Sequence, residues 1–402
     1  MPAAIYVFSL CTFAFGLSEF VVAGLVSAIA LDLEARVAAA GTAVAAYALG
    51  AAIGAPFITA LIAHWRDKHI LILAMTVLAA GSVAMSVSPT LPVLLVVRFT
   101  VGLSHGVFMA VASNAATRLV DASRAGRALS VVWIGLTLAL AVGVPLGTYL
   151  GRHWSWRSVF LSIGGLSVLG GLGLLLFMSR HAESPSVKST GPDAARKQAD
   201  IKTRLRALIH PQLMMTAAVG VLVSIATFSF FTFISPYLLR ITEADVQGLS
   251  TCMLLFGVCS IAGNVLGGYL VDATDARRSL VAALAGLSAN LIGLYAFNRS
   301  PLMMLVLVGT LGVFFFAIVT MLTLRLLKQA RRYTPQSTAV AAGLNIASFN
   351  LGTALGGGIG AITIAFGGLA YVSLVGAIAA AVAVAMFSVQ VGYVGGLGRP
   401  ID

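Results

Sequence analysis

The chain has 402 residues, of which 59% are hydrophobic and only 9% are charged, and its mean hydropathy is +1.00. Soluble domains carry about 25% charged residues, so this composition excludes a soluble enzyme and a soluble binding domain and favours a chain solvated largely by lipid. The formal net charge of +12 would suit a nucleic-acid partner, so its meaning depends on where the basic residues fall.

Apolar runs long enough to cross a hydrocarbon layer, which takes about 20 helical residues, occupy most of the chain. There are twelve of them, at 5–30, 40–62, 70–88, 92–117, 128–150, 158–179, 211–238, 247–271, 279–297, 301–324, 337–366 and 368–390. Only helices and closed barrels span lipid, and the alternation typical of barrel strands is absent from these runs. The sequence therefore predicts an all-α polytopic membrane protein with twelve transmembrane helices.

The basic residues predict the orientation of these helices. With the N-terminus in the cytoplasm, 19 of the 25 Lys and Arg residues fall in inner segments, five fall in outer loops, and Arg98 lies within a span. Such an excess marks cytoplasmic loops, so we expect both termini in the cytoplasm. The positive charge then needs no nucleic-acid partner. The long polar stretch 181–210 is predicted to be a cytoplasmic linker between two six-helix bundles, 1–180 and 211–402.

One carboxylate, Glu19, lies halfway along the first apolar run. A charged group at the centre of a bilayer costs about 2.5–3.5 kcal/mol on insertion scales. It persists there if it faces a water-filled cavity, pairs with a cation or stays protonated. A carboxyl of this kind can take a proton on one side of the membrane and release it on the other. The alternative is a permanently protonated glutamate that bonds to a neighbouring helix.

Two further ionisable residues lie within apolar runs. Arg98 is near the outer end of the fourth run, where it either joins a polar cluster inside the bundle or extends to the outer surface. His105 is the only histidine deep in such a run; its chemistry suits a proton relay, and a neutral histidine bonded between helices explains it equally well. The cysteines Cys11, Cys252 and Cys259 show no disulfide or metal-site spacing.

Small, aromatic and amide residues mark specific runs. Glycine or alanine recurs every fourth residue at 135, 139 and 143 and again at 352, 356 and 360, which predicts a smooth helix face in each half. Aromatic residues cluster in the seventh and tenth runs, and most of them are expected to pack against lipid or protein. The candidates for substrate contact are Phe20, Phe231, Tyr237, Asn345 and Asn350, with helix joining as the favoured alternative for the two asparagines.

Several of these segments together resemble the major facilitator superfamily, and within it the twelve-span drug/proton antiporters of the sugar-efflux, arabinose-efflux and chloramphenicol-resistance branch. The segments that carry this resemblance are GLSEF (16–20), LSHG (103–106) after Arg98, GLTLALAVGVPLGTYLG (135–151), Trp156-Arg157 and LNIASFNLGTALGGGIG (344–360). The acidic position of the superfamily's loop motif is occupied by Ala63 after the second span. After the eighth span Asp272 is retained, as part of that motif.

The resemblance implies a proton-coupled antiporter that exports small organic compounds across the bacterial inner membrane by alternating access, and no enzyme activity or cofactor. Its implied partners are a small-molecule substrate, protons and membrane lipid, with no nucleic acid, and a monomer is expected. Proton coupling would fall to Glu19, His105 and Arg98. The gating residues that it implies are Asp272, Arg127, Arg124, Gly143, Pro145 and Gly147.

The sequence leaves one alternative function open and argues against two others. A proton-coupled uptake symporter would use the same fold, although the glycine-rich fifth run with Pro145 resembles antiporters. An intramembrane enzyme would need a nucleophile or a metal cluster, and a channel would need a selectivity filter or a charged ring; neither pattern is evident in the sequence.

Overall fold

A computed structural model describes residues 1–62, 65–121, 124–178, 210–273, 275–333 and 338–396. All regular structure in these ranges is helical, and twelve of the helices are long and apolar enough to cross a membrane. They are α1 Ala3–Asp32, α2 Val37–Ile58, α3 Asp67–Ser86, α4 Leu91–Arg118, α5 Arg127–His153, α6 Trp156–Phe177, α7 Pro211–Arg240, α8 Val246–Ala273, α9 Ala276–Ala296, α10 Pro301–Tyr333, α11 Thr338–Phe366 and α12 Val372–Gly396. The prediction of a twelve-helix membrane protein is confirmed.

The helices pack in the same pairs in both halves of the chain. In the first half α1 lies on α5, α2 on α4 and α3 on α6; in the second half α7 lies on α11, α8 on α10 and α9 on α12. The two sets join where α2 meets α11 and α5 meets α8. This is the arrangement of two six-helix bundles related by a pseudo-twofold axis. Residues 179–209, which hold nearly all of the predicted linker, lie outside the described part of the chain.

The α2–α4 and α8–α10 contacts are equivalent down to the glycines that allow them. A Cβ atom added to Gly102 of α4 would collide with the backbone oxygen of Tyr47, and one added to Gly312 of α10 would collide with that of Phe256. In the same way Gly54 faces the Leu103 oxygen. Small residues let membrane helices approach to backbone contact, so these glycines set the separation of the helix pairs.

Enlarging one of these glycines tests the packing. A Gly102→Leu substitution is expected to force α2 and α4 apart and destabilise the fold by about 1–3 kcal/mol or more, the range for overpacked cores. Thermal unfolding of the purified protein in detergent would measure the loss. Gly165→Leu is the matched control, because a Cβ atom at that position of α6 meets nothing within 4 Å. Equal unfolding temperatures for the two variants would contradict this account of the helix contact.

Three helices depart from regular α-geometry near the junction of the bundles. In α2 the segment Gly54–Ile58, which meets α11, is π-helical. In α5 a π-helical segment, Ala139–Gly143, ends two residues before Pro145, whose ring lacks the N–H that an α-helix needs. At this segment Gly257 of α8 lies against the backbone of Leu140. In α7 the helix Pro211–Phe231 is interrupted before Ile234–Arg240. The irregular backbone therefore coincides with contacts between the bundles.

The helix boundaries match the predicted runs to within about four residues except at two ends. The helix α12 continues to Gly396, past the predicted residue 390, and α10 continues to Tyr333, well past the predicted residue 324. This last part carries Arg325 and Lys328, whose charges ended the apolar run. Long cationic side chains can place their charge at the membrane–water interface while their apolar stems stay on the helix surface. The helix can therefore continue beyond the end of the apolar run.

Candidate functional site

Glu19 lies in the interior of the first bundle, on the face of α1 that meets α4. Glu19 is 9% exposed and His105 is 5% exposed. The Oε2 atom of Glu19 lies 3.6 Å from Nδ1 of His105. The His105 ring stacks on Phe15 with the ring centroids 4.9 Å apart. The separation of 3.6 Å exceeds that of a hydrogen bond, so a small shift of either side chain would be needed to form one.

Arg98 is fully buried beside this pair and is bonded to backbone. Its Nε donates to the oxygen of Ala43 on α2 at 3.0 Å, and its Nη1 donates to the oxygen of Ser18 on α1 at 2.5 Å. Its Nη2 donates to the backbone oxygen of Glu19 at 3.4 Å. The interpretation that Arg98 extends to the surface is therefore wrong. Its charge lies within the bundle and joins α1, α2 and α4.

Tyr47 completes a group that we call the acid cluster: Glu19, Tyr47, Arg98 and His105. The Arg98 guanidinium carbon lies 4.3 Å from the centre of the Tyr47 ring, and the Tyr47 hydroxyl donates to the oxygen of Phe15 at 3.3 Å. Among the described residues, neither ring nitrogen of His105 has a hydrogen-bond partner. The ring is held by its stacking on Phe15 and lies near Glu19, and its part in proton exchange stays a prediction.

Phe20 lies next to Glu19 and reaches across to the second bundle. Its half-buried ring is 6.3 Å from that of Phe228 on α7, in a stacked arrangement. Phe231 and Tyr237, two other candidates for substrate contact, are 1% and 0% exposed. Phe231 packs on Phe256 at 4.2 Å, and the Tyr237 hydroxyl donates to the oxygen of Leu294 on α9 at 3.1 Å. Both therefore pack within the second bundle in this conformation.

The two candidate asparagines make bonds within the second bundle. The Asn345 Nδ2 donates to Oγ1 of Thr323 on α10 at 2.9 Å, which is the helix-joining contact that the sequence favoured. The Asn350 Nδ2 donates to the oxygen of Ile346 in its own helix at 3.0 Å. The Oδ1 atom of Asn350 is buried without a partner among the described residues, so one acceptor remains there for a ligand or water.

The predicted gating residues lie apart from the acid cluster. Arg124 and Arg127 are exposed at the start of α5. Asp272 lies near the end of α8, and its side chain is outside the described part of the structure. Gly143 and Gly147 of α5 face Leu17 and Val21 of α1. The structure therefore places the glycines at a helix contact inside the first bundle and the two arginines at one of its ends.

The loop between α2 and α3, which departs from the superfamily motif, is followed by a different set of polar contacts. Asp67 at the start of α3 pairs with Arg118 at the end of α4. Lys68 donates to the oxygens of Leu175 and Met178, at 3.0 and 2.6 Å, at the end of α6. Residues 63–64 lie outside the described ranges. The ends of α3, α4 and α6 are thus joined without the missing acid.

Sequence reasoning missed two features of this bundle. Tyr47 was not distinguished from other aromatic residues, and Asp32 was not singled out. Both Nε and Nη2 of Arg157 donate to Oδ2 of Asp32, at 3.1 and 2.8 Å, and Trp156 donates to the same oxygen at 3.1 Å. The available signal was their position in the sequence. Asp32 ends α1 and Trp156-Arg157 begins α6, and both of these helix ends are predicted to lie at the outer face of the membrane.

Comparison with known proteins agrees with this architecture. The sequence model of the Major Facilitator Superfamily matches residues 8–339. The "Inner membrane transport protein YdhP" of Escherichia coli (strain K12) is 32% identical over 92% of this chain and 91% of that protein. The "Chloramphenicol resistance protein" of Streptomyces lividans is 32% identical over 90% of each chain.

A more distant relative and a solved structure extend the comparison. The "Probable sugar efflux transporter" of Helicobacter pylori (strain G27) is 27% identical over 92% of this chain and 91% of that protein. The crystal structure of a D-xylose-proton symporter superposes with a TM-score of 0.75 over 96% of each chain, at 17% identity. At that identity the superposition shows a shared fold.

Proposed function

The chain belongs to the Major Facilitator Superfamily, and we propose that it exports small organic compounds across the bacterial inner membrane in exchange for protons. The superfamily's members and the named relatives are transporters, and the twelve apolar helices make the chain a multi-pass membrane protein. We place both termini in the cytoplasm from the distribution of basic residues, and we treat 1–180 and 211–402 as the two moving bundles of a monomer.

The observation that carries this proposal is a buried carboxyl in contact range of a buried histidine, beside a fully buried arginine. A desolvated carboxylate is costly unless a cation or proton neutralises it. Glu19 would therefore exchange its proton as the two bundles rock about the shared site. Facing the cytoplasm it loses a proton and the carrier accepts substrate; facing outward it is protonated again and the substrate leaves. Arg98 holds α1 and α4 in register throughout.

The proton gradient can drive such a cycle. One charge that crosses a membrane potential of 100 mV releases about 2.3 kcal/mol, and each unit of pH difference adds about 1.36 kcal/mol. The sum corresponds to a cargo gradient of about 500-fold for one proton per cargo molecule. No other energy source is required by this scheme.

The direction of transport is tested by flow in reconstituted vesicles with an imposed pH gradient. The names of the relatives, which refer to chloramphenicol resistance and sugar efflux, favour export. The solved D-xylose-proton symporter makes uptake symport the second candidate. Proton influx that drives labelled cargo out against its gradient supports the proposal. Cargo that enters together with protons would replace it with the symport alternative.

Asp272 is assigned to gating at the cytoplasmic end of α8, opposite the start of α5, where Arg124 and Arg127 are exposed. Rocking at this end would bend α5 at its π-helical segment, near Gly143, Pro145 and Gly147. An Asp272→Asn change is expected to alter the transport rate several-fold, about 1 kcal/mol of conformational bias, and to leave the substrate range unchanged. A spin-label distance between the ends of α5 and α8 would report the bias. A changed substrate range with an unchanged distance would contradict the gating role.

A further inference from the structure

The two bundles repeat each other residue by residue around the site. Gly102 faces the Tyr47 oxygen as Gly312 faces that of Phe256, and Gly54 faces the Leu103 oxygen as Gly263 faces that of Val313. The equivalent residues are separated by 209 or 210 positions in the sequence in every case: 47 and 256, 54 and 263, 102 and 312, 103 and 313. The register of α2 and α4 against α8 and α10 is therefore fixed, and it identifies the counterparts of Tyr47, Arg98 and His105.

These counterparts are apolar, because Tyr47, Arg98 and His105 correspond to Phe256, Val308 and Phe315. The first helix of each bundle supplies a neighbour to this position. Phe315 of α10 lies against Phe228 of α7, with 5.7 Å between ring centroids, and His105 of α4 lies against Glu19 of α1. The pseudo-twofold axis thus places a charged site in one bundle and a phenylalanine cluster at the same position in the other.

This phenylalanine cluster continues to rings that are only half buried. Phe316 lies 6.3 Å from Phe256, and Phe349 of α11 lies 6.3 Å from Phe315. Phe20 joins the cluster from the first bundle through Phe228, beside Glu19. Unlike the fully packed rings, Phe20, Phe316 and Phe349 retain accessible surface. We call these three rings the aromatic platform.

Some polar side chains of α8, α10 and α11 are bonded to one another. The Thr320 hydroxyl donates to Oδ1 of Asn264 at 2.9 Å, and Asn345 donates to Thr323. The Oδ1 atom of Asn350 and both ring nitrogens of His105 have no partner among the described residues, so they are available to the polar part of a ligand. Aromatic rings gain from offset or edge-to-face contact with other rings. The platform therefore suits an arene better than a polyol.

We propose that the cargo carries an aromatic ring that lies on Phe20, Phe316 and Phe349, with its polar part directed toward Glu19 and His105. This rests on the proposed function and gives its site a substrate class. Binding of the ring and protonation of the carboxyl then occur at adjoining residues, because Phe20 directly follows Glu19 in α1, so a single ligand contacts both bundles at once. Two of the three rings, Phe316 and Phe349, belong to the second bundle, and proton exchange lies in the first.

The test measures binding to the purified protein in detergent by calorimetry, with two probe sets. The aromatic probes are chloramphenicol, p-nitrophenol, ethidium and tetraphenylphosphonium; the sugars are arabinose, xylose and lactose. At least one aromatic probe is expected to bind more tightly than every sugar. The variants Phe316→Leu and Phe349→Leu are each expected to weaken that binding about 3- to 10-fold. Leucine keeps the position apolar, and both rings are only half buried, so folding should be preserved.

Phe314→Leu is the matched control, since the Phe314 ring lies on the other side of α10, against Gly286 of α9. The affinity of this variant for the aromatic probe should equal that of the native protein. A sugar that binds best, no binding by any aromatic probe, or equal weakening in all three variants would overturn the inference. Those results leave the proposed function standing if Glu19→Gln still removes proton-driven transport of the compound that does bind. Transport of a bound aromatic probe that does not depend on protons would support the inferred substrate class and contradict the proposed proton coupling.

Discussion

A Glu19→Gln variant is expected to lose the ability to accumulate cargo against a gradient while it still equilibrates cargo down one. Glutamine resembles the protonated carboxyl in shape and has no proton to exchange, so the carrier can rock but is uncoupled from protons. With 100 mV and one pH unit imposed, the native protein should reach a cargo ratio of about 500-fold per proton, and the variant about 1. Radiolabelled cargo in reconstituted vesicles would measure both.

Glu34→Gln provides the control for this result. Glu34 is an exposed acid just beyond the end of α1, so its loss changes the net charge equally and leaves the buried site intact. Full accumulation by Glu34→Gln is expected. A Glu19→Gln protein that accumulates cargo at the native ratio would place the proton-exchanging group elsewhere in the chain.

An Arg98→Lys variant is expected to be the most damaging conservative substitution in the first bundle. The guanidinium bonds to backbone oxygens on two helices while it lies over Tyr47, and a lysine ammonium is a compact point charge that cannot reproduce that planar fork. Loss of one or two hydrogen bonds from a charged donor costs about 1.5–3 kcal/mol each. Thermal unfolding in detergent and vesicle transport should both fall markedly.

The exposed Arg36 before α2 offers the comparison, because Arg36→Lys removes a guanidinium at the surface and should leave unfolding temperature and transport unchanged. Native stability and transport in Arg98→Lys would mean that the bonds between Arg98, α1 and α2 are dispensable.

The fold could be predicted from the sequence because its main determinant is local. Each run of about 20 apolar residues must form a helix to satisfy its own backbone in lipid, and this requirement does not depend on which neighbour the helix meets. Glu19, Arg98 and His105 could each be selected for the same reason, since a polar side chain in an apolar run is costly wherever it lies.

What the sequence could not supply was which residues meet. The contact of Glu19 with His105 depends on how closely α1, α2 and α4 approach, and that approach is set by glycines such as Gly54 and Gly102 whose partners lie on another helix. Asn345 has the same polarity whether it bonds to Thr323 or to a ligand. The phenylalanine cluster, too, is recognisable as the counterpart of the acid cluster only once the register of the two repeats is known.

Proton release on binding tests the coupling most directly. The compound that binds best in the probe panel is added to the purified protein in weakly buffered detergent solution, and a pH indicator dye records the change across a series of starting pH values. The account predicts that binding releases protons from the native protein within a limited pH range, and that Glu19→Gln binds the same compound more weakly and with no release. Equal release from both proteins, or none from the native protein at any pH, would contradict the exchange of cargo for a proton at Glu19.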